Sequence, residues 1–373
     1  MDTSFSLFSE ADRKLLPACS KPLQDELFSS WLTRMSQDHG LNIFEFCNLC
    51  WPKAAIFERD IDRNLKDEVI HRIAGRTNCS FEEVKSTSIR YFEYKLYDPN
   101  IKKSNSMTKW VLPIGRQSFK HNMKGLMFCP GCLTHDAEMP YYRKKWRLAL
   151  TFACVECGCY LYDCCPWCGS PICFFRNSIG LINQGSFKGW VTCFNCKKDL
   201  RKSNIKQAPD EVIEVQKKLY DILEFGLGCR IVYPIQYFDV LGFMVKILVS
   251  SRLRFQSLRE DLLKYHKVPF FTSESNRPRF EALEYNKRIQ VITVAHWLLE
   301  DWPNRFIFYC KKHGLCSTDA LPDVKEAPFW YESVIKDEIY RPRNTQSEVP
   351  FGLYSIFGIT NPQSGHHRRR VKF

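Results

Sequence analysis

No apolar run in this chain is long enough to cross a membrane. The longest, Phe238 to Ser250, is interrupted by Asp239 and Lys246 and falls short of the roughly 20 residues a spanning helix needs. Residues 1 to 10 hold two acids and no basic segment, so no secretory signal is expected and the thiols are expected to stay reduced in the cytoplasm. Signatures of catalysis are missing as well. There is no His-Glu-x-x-His, no Walker A loop and no Gly-x-Ser-x-Gly. The zinc-deaminase pattern fails too, because the cysteines here read Cys-Pro where that pattern has Pro-Cys, and no His-x-Glu precedes them. His71, His121, His135, His296 and His313 stand isolated. No enzymatic activity is therefore expected, although dispersed acids of a nuclease or transposase would leave no trace in spacing. Internal repeats and long low-complexity tracts are likewise absent.

What is present is a globular composition, 45 % hydrophobic and 14 % aromatic, which argues against disorder. Lysine and arginine number 54 against 41 acids, a formal charge of +13, and that balance suits a phosphate-rich partner. Cysteine is the conspicuous residue, with 18 in the chain. In a reducing compartment such a count points to metal rather than to disulfides.

Four Cys-x-x-Cys pairs fall between residues 129 and 196: Cys129/Cys132, Cys154/Cys157, Cys165/Cys168 and Cys193/Cys196. Each spacing lets a short turn aim two thiolates at one ion, and two such turns complete a tetrahedral shell, so two structural Zn2+ sites are expected. A closed four-sulfur shell leaves no open position for chemistry. Sequential pairing joins the first two pairs and the last two; a cross-braced pairing satisfies the same spacing, and Cys159, Cys164 and Cys173 lie close enough to compete. Cys47 and Cys50 have the same separation but sit in the apolar run 43–51, which reads as a helix, so they are expected to be core thiols.

The regions on either side read as helical. Residues 25–39 carry Leu27, Trp31 and Met35 four apart, with Phe28 and Leu32 beside them. A second helix is expected over 67–76, followed by the turn Thr77-Asn78-Cys79 and a capping box, Ser80 with Glu83, opening a helix over 81–96. Helix, turn and capped helix make a helix-turn-helix candidate, with Lys85, Ser88 and Arg90 as its DNA-reading tips. Two packed helices with a solvated face satisfy the same pattern. Beyond a polar linker over 201–210, Val212, Val215, Leu219 and Ile222 recur at helical spacing, and further helices are expected over 237–248 and 289–299. The chain ends in a basic tail whose Arg368, Arg369 and Arg370 are candidate phosphate contacts, a solvated tail satisfying the same composition. Together these readings give a mainly α, multi-domain chain with small β zinc-ribbon units: an N-terminal helix-turn-helix domain over 1–110, tandem zinc ribbons over 111–200 and a C-terminal helical domain over 201–373.

Several segments resemble the TniQ family of transposon target-selection proteins, which includes TnsD. The opening Leu27-Phe28-Ser29-Ser30-Trp31-Leu32-Thr33-Arg34 is similar to a family segment with one apolar residue inserted. The most specific likeness runs through Phe128-Cys129-Pro130-Gly131-Cys132-Leu133, Trp146-Arg147-Leu148, Cys154-x-x-Cys157-Gly158 and Leu161-Tyr162-Asp163-x-Cys165-Pro166-x-Cys168-Gly169, with an echo at Asp301-Trp302-Pro303-x-Arg305-Phe306. Where many members have Cys-Pro-x-His, this chain has Cys154-Val155-Glu156-Cys157, and Met127 stands where members often carry a basic residue.

The resemblance implies a non-enzymatic adaptor that brings an AAA+ transposition regulator to a chosen DNA target. Long members of the TnsD kind read an attachment site directly; short ones dock on a CRISPR effector complex, often as a homodimer, and 373 residues sits nearer the short group. Rigid ribbons suit protein or phosphate contacts and leave base reading to helix-turn-helix units. The candidate contacts to the DNA backbone are Arg143, Lys144 and Lys145 before Trp146, and Lys197, Lys198, Arg201 and Lys202 after the last cysteine pair.

Overall fold

The structure, a computed structural model, describes residues 15–52, 60–100, 108–114, 124–136, 139–176, 189–227, 232–250, 252–267, 279–321 and 327–339. It is mostly helical with few strands. The N-terminal part holds α1 (Phe28–Asp38), α2 (Ile43–Cys50), α3 (Asp67–Thr77) and α4 (Phe81–Thr87). Trp31, Leu32 and Met35 of α1, Ile43 and Phe46 of α2, Ile70 and Ile73 of α3 and Val84 of α4 form one small core, so the helical spacing read from the sequence is the spacing of the buried face. Cys47 and Cys50 lie in that core, and burial pushes both thiols above their ordinary range. Asn42 caps α2 by accepting the Phe44 and Glu45 amides.

The turn between α3 and α4 is the expected one. Asn78 adopts the left-handed conformation at φ 51° that ends α3, and Ser80 and Glu83 form the reciprocal capping box of α4. The second helix is much shorter than expected. Three consecutive hydroxyls, on Ser86, Thr87 and Ser88, donate to the carbonyls of Glu83, Val84 and Lys85, each at 2.7 Å. Ser88 also accepts the Arg90 amide, its backbone turns extended at ψ 169°, and a 3-10 turn over Ile89–Phe92 follows. Side-chain hydroxyls that satisfy nearby backbone groups offer an alternative to helical pairing, and a run of three is enough to stop a helix that apolar periodicity would carry on.

Between the helical regions come α5 (Pro130–His135) and a two-stranded antiparallel hairpin, β1 (Ala153–Cys154) with β2 (Cys159–Tyr160). After the second group of cysteines the chain enters α6 (Asp210–Phe225), α7 (Pro234–Val249), α8 (Gln256–Tyr265), α9 (Tyr285–Glu300), α10 (Asn304–Lys312), α11 (Ser317–Ala320) and α12 (Phe329–Glu338). A second and larger core runs from Leu27 and the 3-10 turn (Ile89, Phe92), through the cysteine-bearing segment (Trp110, Phe128, Leu150), to the C-terminal helices (Leu219, Phe238, Ile292, Tyr331). Gln216 of α6 ties the hairpin in place, its side-chain oxygen accepting the Phe152 and Ala153 amides at 2.8 and 3.2 Å. Among the described residues no helix is long and apolar enough to cross a membrane.

Candidate metal centres and the charged surface around them

The eight cysteines gather into two groups of four, Cys129/Cys132/Cys154/Cys157 and Cys165/Cys168/Cys193/Cys196, and within each group the sulfurs lie within 4.8 Å of one another. Sequential pairing is therefore the arrangement present. Sulfur separations are 3.4 Å for Cys132–Cys154 and 3.7 Å for Cys132–Cys157 in the first group, and 3.6 Å for both Cys165–Cys196 and Cys168–Cys193 in the second. A tetrahedral ion with bonds of about 2.3 Å holds its sulfurs about 3.8 Å apart, so either group could hold one such ion.

Local sequence builds each turn. In the first, Cys129 is the N-cap of α5 with Pro130 at the first helical position, and its sulfur accepts the Cys132 amide at 3.4 Å. Gly131 is required there, because a Cβ would lie 2.8 Å from the Cys157 sulfur. Three of the turns end in a left-handed residue directly after the second cysteine: Gly158 at φ 62°, Gly169 at φ 71° and Lys197 at φ 59°. Glycine enters that conformation without steric cost and lysine does not. Burial pushes the Cys165 thiol up to about 12, whereas Cys168, despite some burial, is held at about 6 by hydrogen bonds from Ser170. Buried sulfurs crowded this closely need a cation to be held as thiolates together. A fifth sulfur, on Cys159, sits 3.5 Å from that of Cys129, and Nδ1 of His135 is 4.0 Å from that of Cys157.

The charged residues divide sharply. Ser88 is buried and holds the chain turn described above, so it is not a tip of any reading surface. Arg90 is bound to Asp67, to Glu93 at 3.0 Å and to the Leu65 carbonyl at 3.1 Å, and Lys85 lies 3.8 Å from Glu93. The first turn of α4 carries Glu82 and Glu83. Before Trp146, Arg143 makes a two-pronged pair with Asp136 at 2.8 and 3.0 Å and stacks over Tyr141 and Trp146. Lys144 is buried with Asp25 at 3.4 Å, and burial lowers its pKa. Lys145 lies 3.8 Å from Glu224 of α6 and over the Tyr220 ring. Arg143 is thus engaged within the cysteine-bearing segment, and Lys144 and Lys145 join that segment to the helices on either side.

The lysines after the second group stand differently. Arg201 is paired with Asp199 at 2.7 Å, and the exposed Lys202 also acts on that carboxyl, whereas Lys197 and Lys198 are exposed and in no ion pair with an acid among the described residues. Lys198 lies 5.5 Å from the centre of the Trp167 ring. Arg368, Arg369 and Arg370 lie outside the described residues.

Two features carry no spacing signal. Arg147, wholly buried, binds Asp60 at 2.7 Å and Asp62 at 3.0 Å, bridging the N-terminal helices to the cysteine-bearing segment. Trp167, between Cys165 and Cys168 of the second group, faces solvent. The Cys-Pro-Trp-Cys turn hinted at the second; nothing local pointed to the acids that meet Arg147.

Residues 17–161 match the family model TniQ. No curated protein matches the chain. The matched segment contains the first group of four cysteines, Arg147 and α1 to α4, and stops before the second group.

Proposed function

We infer, from the premise that residues 17–161 are a TniQ domain and so carry a role in transposition target selection, that the chain is an adaptor linking a target-recognition complex to an AAA+ transposition regulator. The reading takes the recognition complex to be a CRISPR effector and the two cysteine groups to hold structural Zn2+. It takes residues 1–110, 111–200 and 201–373 as the three domains, and the protein as cytoplasmic and non-catalytic.

One observation supports an adaptor over a direct reader of an attachment site. The short helix that would enter the major groove starts with Glu82 and Glu83, and its cations are engaged with Glu93 and Asp67. A helix that reads base edges needs free donors and tolerates little negative charge near phosphates. The centres themselves suit scaffolding. Four sulfurs around each ion leave no site for water or substrate, so the ion supplies folding energy and rigidity.

The experiment is a pull-down with the purified full chain, offered separately a CRISPR effector complex, an AAA+ transposition regulator, and fragments of the host genome at physiological salt. The adaptor reading expects stable capture of effector and regulator, with DNA held only in a salt-sensitive and sequence-indifferent way. Enrichment of one DNA sequence without the effector, by several kcal/mol over random DNA, would overturn it in favour of a site-specific selector.

A further inference from the structure

We propose that the tip of the second candidate metal centre is a stacking platform for single-stranded DNA, with a base on Trp167 and phosphates on Lys197 and Lys198. All nine tryptophans of the chain lie among the described residues. Eight are buried or half-buried; Trp167, at 38 % exposure, is the one on the surface. It is also rigidly held. Its turn is fixed at both ends by Cys165 and Cys168, and internally by hydrogen bonds from the Cys165 amide to the Ser170 carbonyl at 2.8 Å and from the Gly169 amide to the Cys165 carbonyl at 2.9 Å. A ring carried on a fixed turn leaves less backbone to be ordered when a base stacks on it.

The charge beside the ring has one sign. From residue 165 to 206 the sequence holds seven lysines and arginines and a single acid, Asp199, and that acid is taken up by Arg201. The facing turn, Cys193 to Cys196, delivers Lys198 next to the indole, with Lys197 its neighbour in the chain, because both turns close on the same group of sulfurs. Lys197 occupies the left-handed position that glycine fills after Cys157 and Cys168, so a charged side chain stands where the backbone favours none. In a duplex the base faces are covered by one another, and only an unpaired strand can offer a face to the indole while its backbone follows the lysines. The choice of DNA over RNA rests on the target-selection reading.

The test is fluorescence anisotropy with the zinc-loaded full chain and a labelled thymidine 20-mer, beside a uridine 20-mer and a duplex of the same length. Trp167→Ala is expected to weaken binding to the thymidine strand about tenfold, Trp167→Phe to retain most of it, and neither to change duplex binding. The pair Lys197→Gly/Lys198→Ala, which relieves the left-handed backbone, is expected to lower the salt slope by about 1.4, two phosphate contacts at about 0.7 each. Zinc content and melting temperature of every variant report that the centre is intact. Unchanged thymidine binding in Trp167→Ala, equal losses on duplex, or tighter binding to the uridine strand would each overturn the platform. Capture of the AAA+ regulator is read in parallel: its loss in the wild-type chain sinks the adaptor role, whereas its persistence alongside a failed oligonucleotide assay sinks only the platform.

Discussion

Arg147 shows how much one side chain can join. Its guanidinium is fully buried and satisfies Asp60, Asp62 and the Leu112 carbonyl, the last at 3.1 Å. Burial pushes the Asp62 carboxyl up to about 6 even with the arginine holding it down. Removing the cation would leave two acids unpaired in the interior, and breaking a buried pair in this way costs about 3–5 kcal/mol. Arg147→Met is therefore expected to lower the urea midpoint of the whole chain sharply, and a midpoint unchanged from wild type would show the cluster to be dispensable. Arg34 plays a similar part within the N-terminal helices, bound to Glu26 at 2.8 Å with both side chains buried. Both arginines belong to the segments that carry the family likeness, and in the structure both serve cohesion.

The cysteine turns were legible because their geometry is local: two cysteines three apart, joined in two of the turns by a proline and a glycine, shape a turn within a few residues. Cys129→Ser and Cys193→Ser are each expected to reduce bound zinc from two equivalents to about one; full zinc in both variants would sink the metal assignment. Chelation of both ions should melt the hairpin and its surroundings, followed by near-ultraviolet circular dichroism, because the binding energy of each ion is also folding energy. The capping box was equally local, and Ser80→Ala is expected to cost about 1 kcal/mol. The end of α4 was not, because hydrophobic spacing continues through Ile89 and Phe92 while the hydroxyls before them divert the backbone.

An element-scale pH effect comes from α9. His296 is buried beside the Tyr237 hydroxyl at 2.6 Å, and burial lowers its pKa to about 4 although Glu300 acts in the other direction. The unfolded chain binds the proton first, near the ordinary value of about 6.5. The stabilising contribution of the neutral ring is thus complete above that value and is lost as pH falls through the window down to about 4. Each unit of that fall costs at most about 1.4 kcal/mol. Urea midpoints at pH 7 and pH 5 should differ less in His296→Gln than in wild type, and equal differences would place the acid sensitivity elsewhere.

At the scale of the molecule the formal charge of +13 is uneven in its availability. Arg143, Lys144 and Lys145 before Trp146 and Lys85 of α4 are engaged with internal acids, while Lys197 and Lys198 are open to a partner. Non-specific DNA affinity of the full chain should accordingly fall when Lys197 and Lys198 become alanine together, and hold when Lys85 alone does. The reverse pattern in a salt titration would return DNA contact to the N-terminal helices. The cores are likewise a property of the whole, since residues as distant in sequence as Leu27 and Ile339 share one apolar cluster.

By itself, the sequence determined what depends on neighbours along the chain: amphipathic helices, caps, cysteine turns and the existence of two centres of four sulfurs. Spacing and local conformational preference are complete instructions for those. Tertiary structure alone decided how the cysteine turns pair, which charges neutralise one another, and which aromatic ring is left in solvent. Pairing of Arg147 with Asp60 and Asp62, or of Lys145 with Glu224, depends on residues brought together across about 80 positions, by the burial of apolar faces whose partners no local pattern specifies.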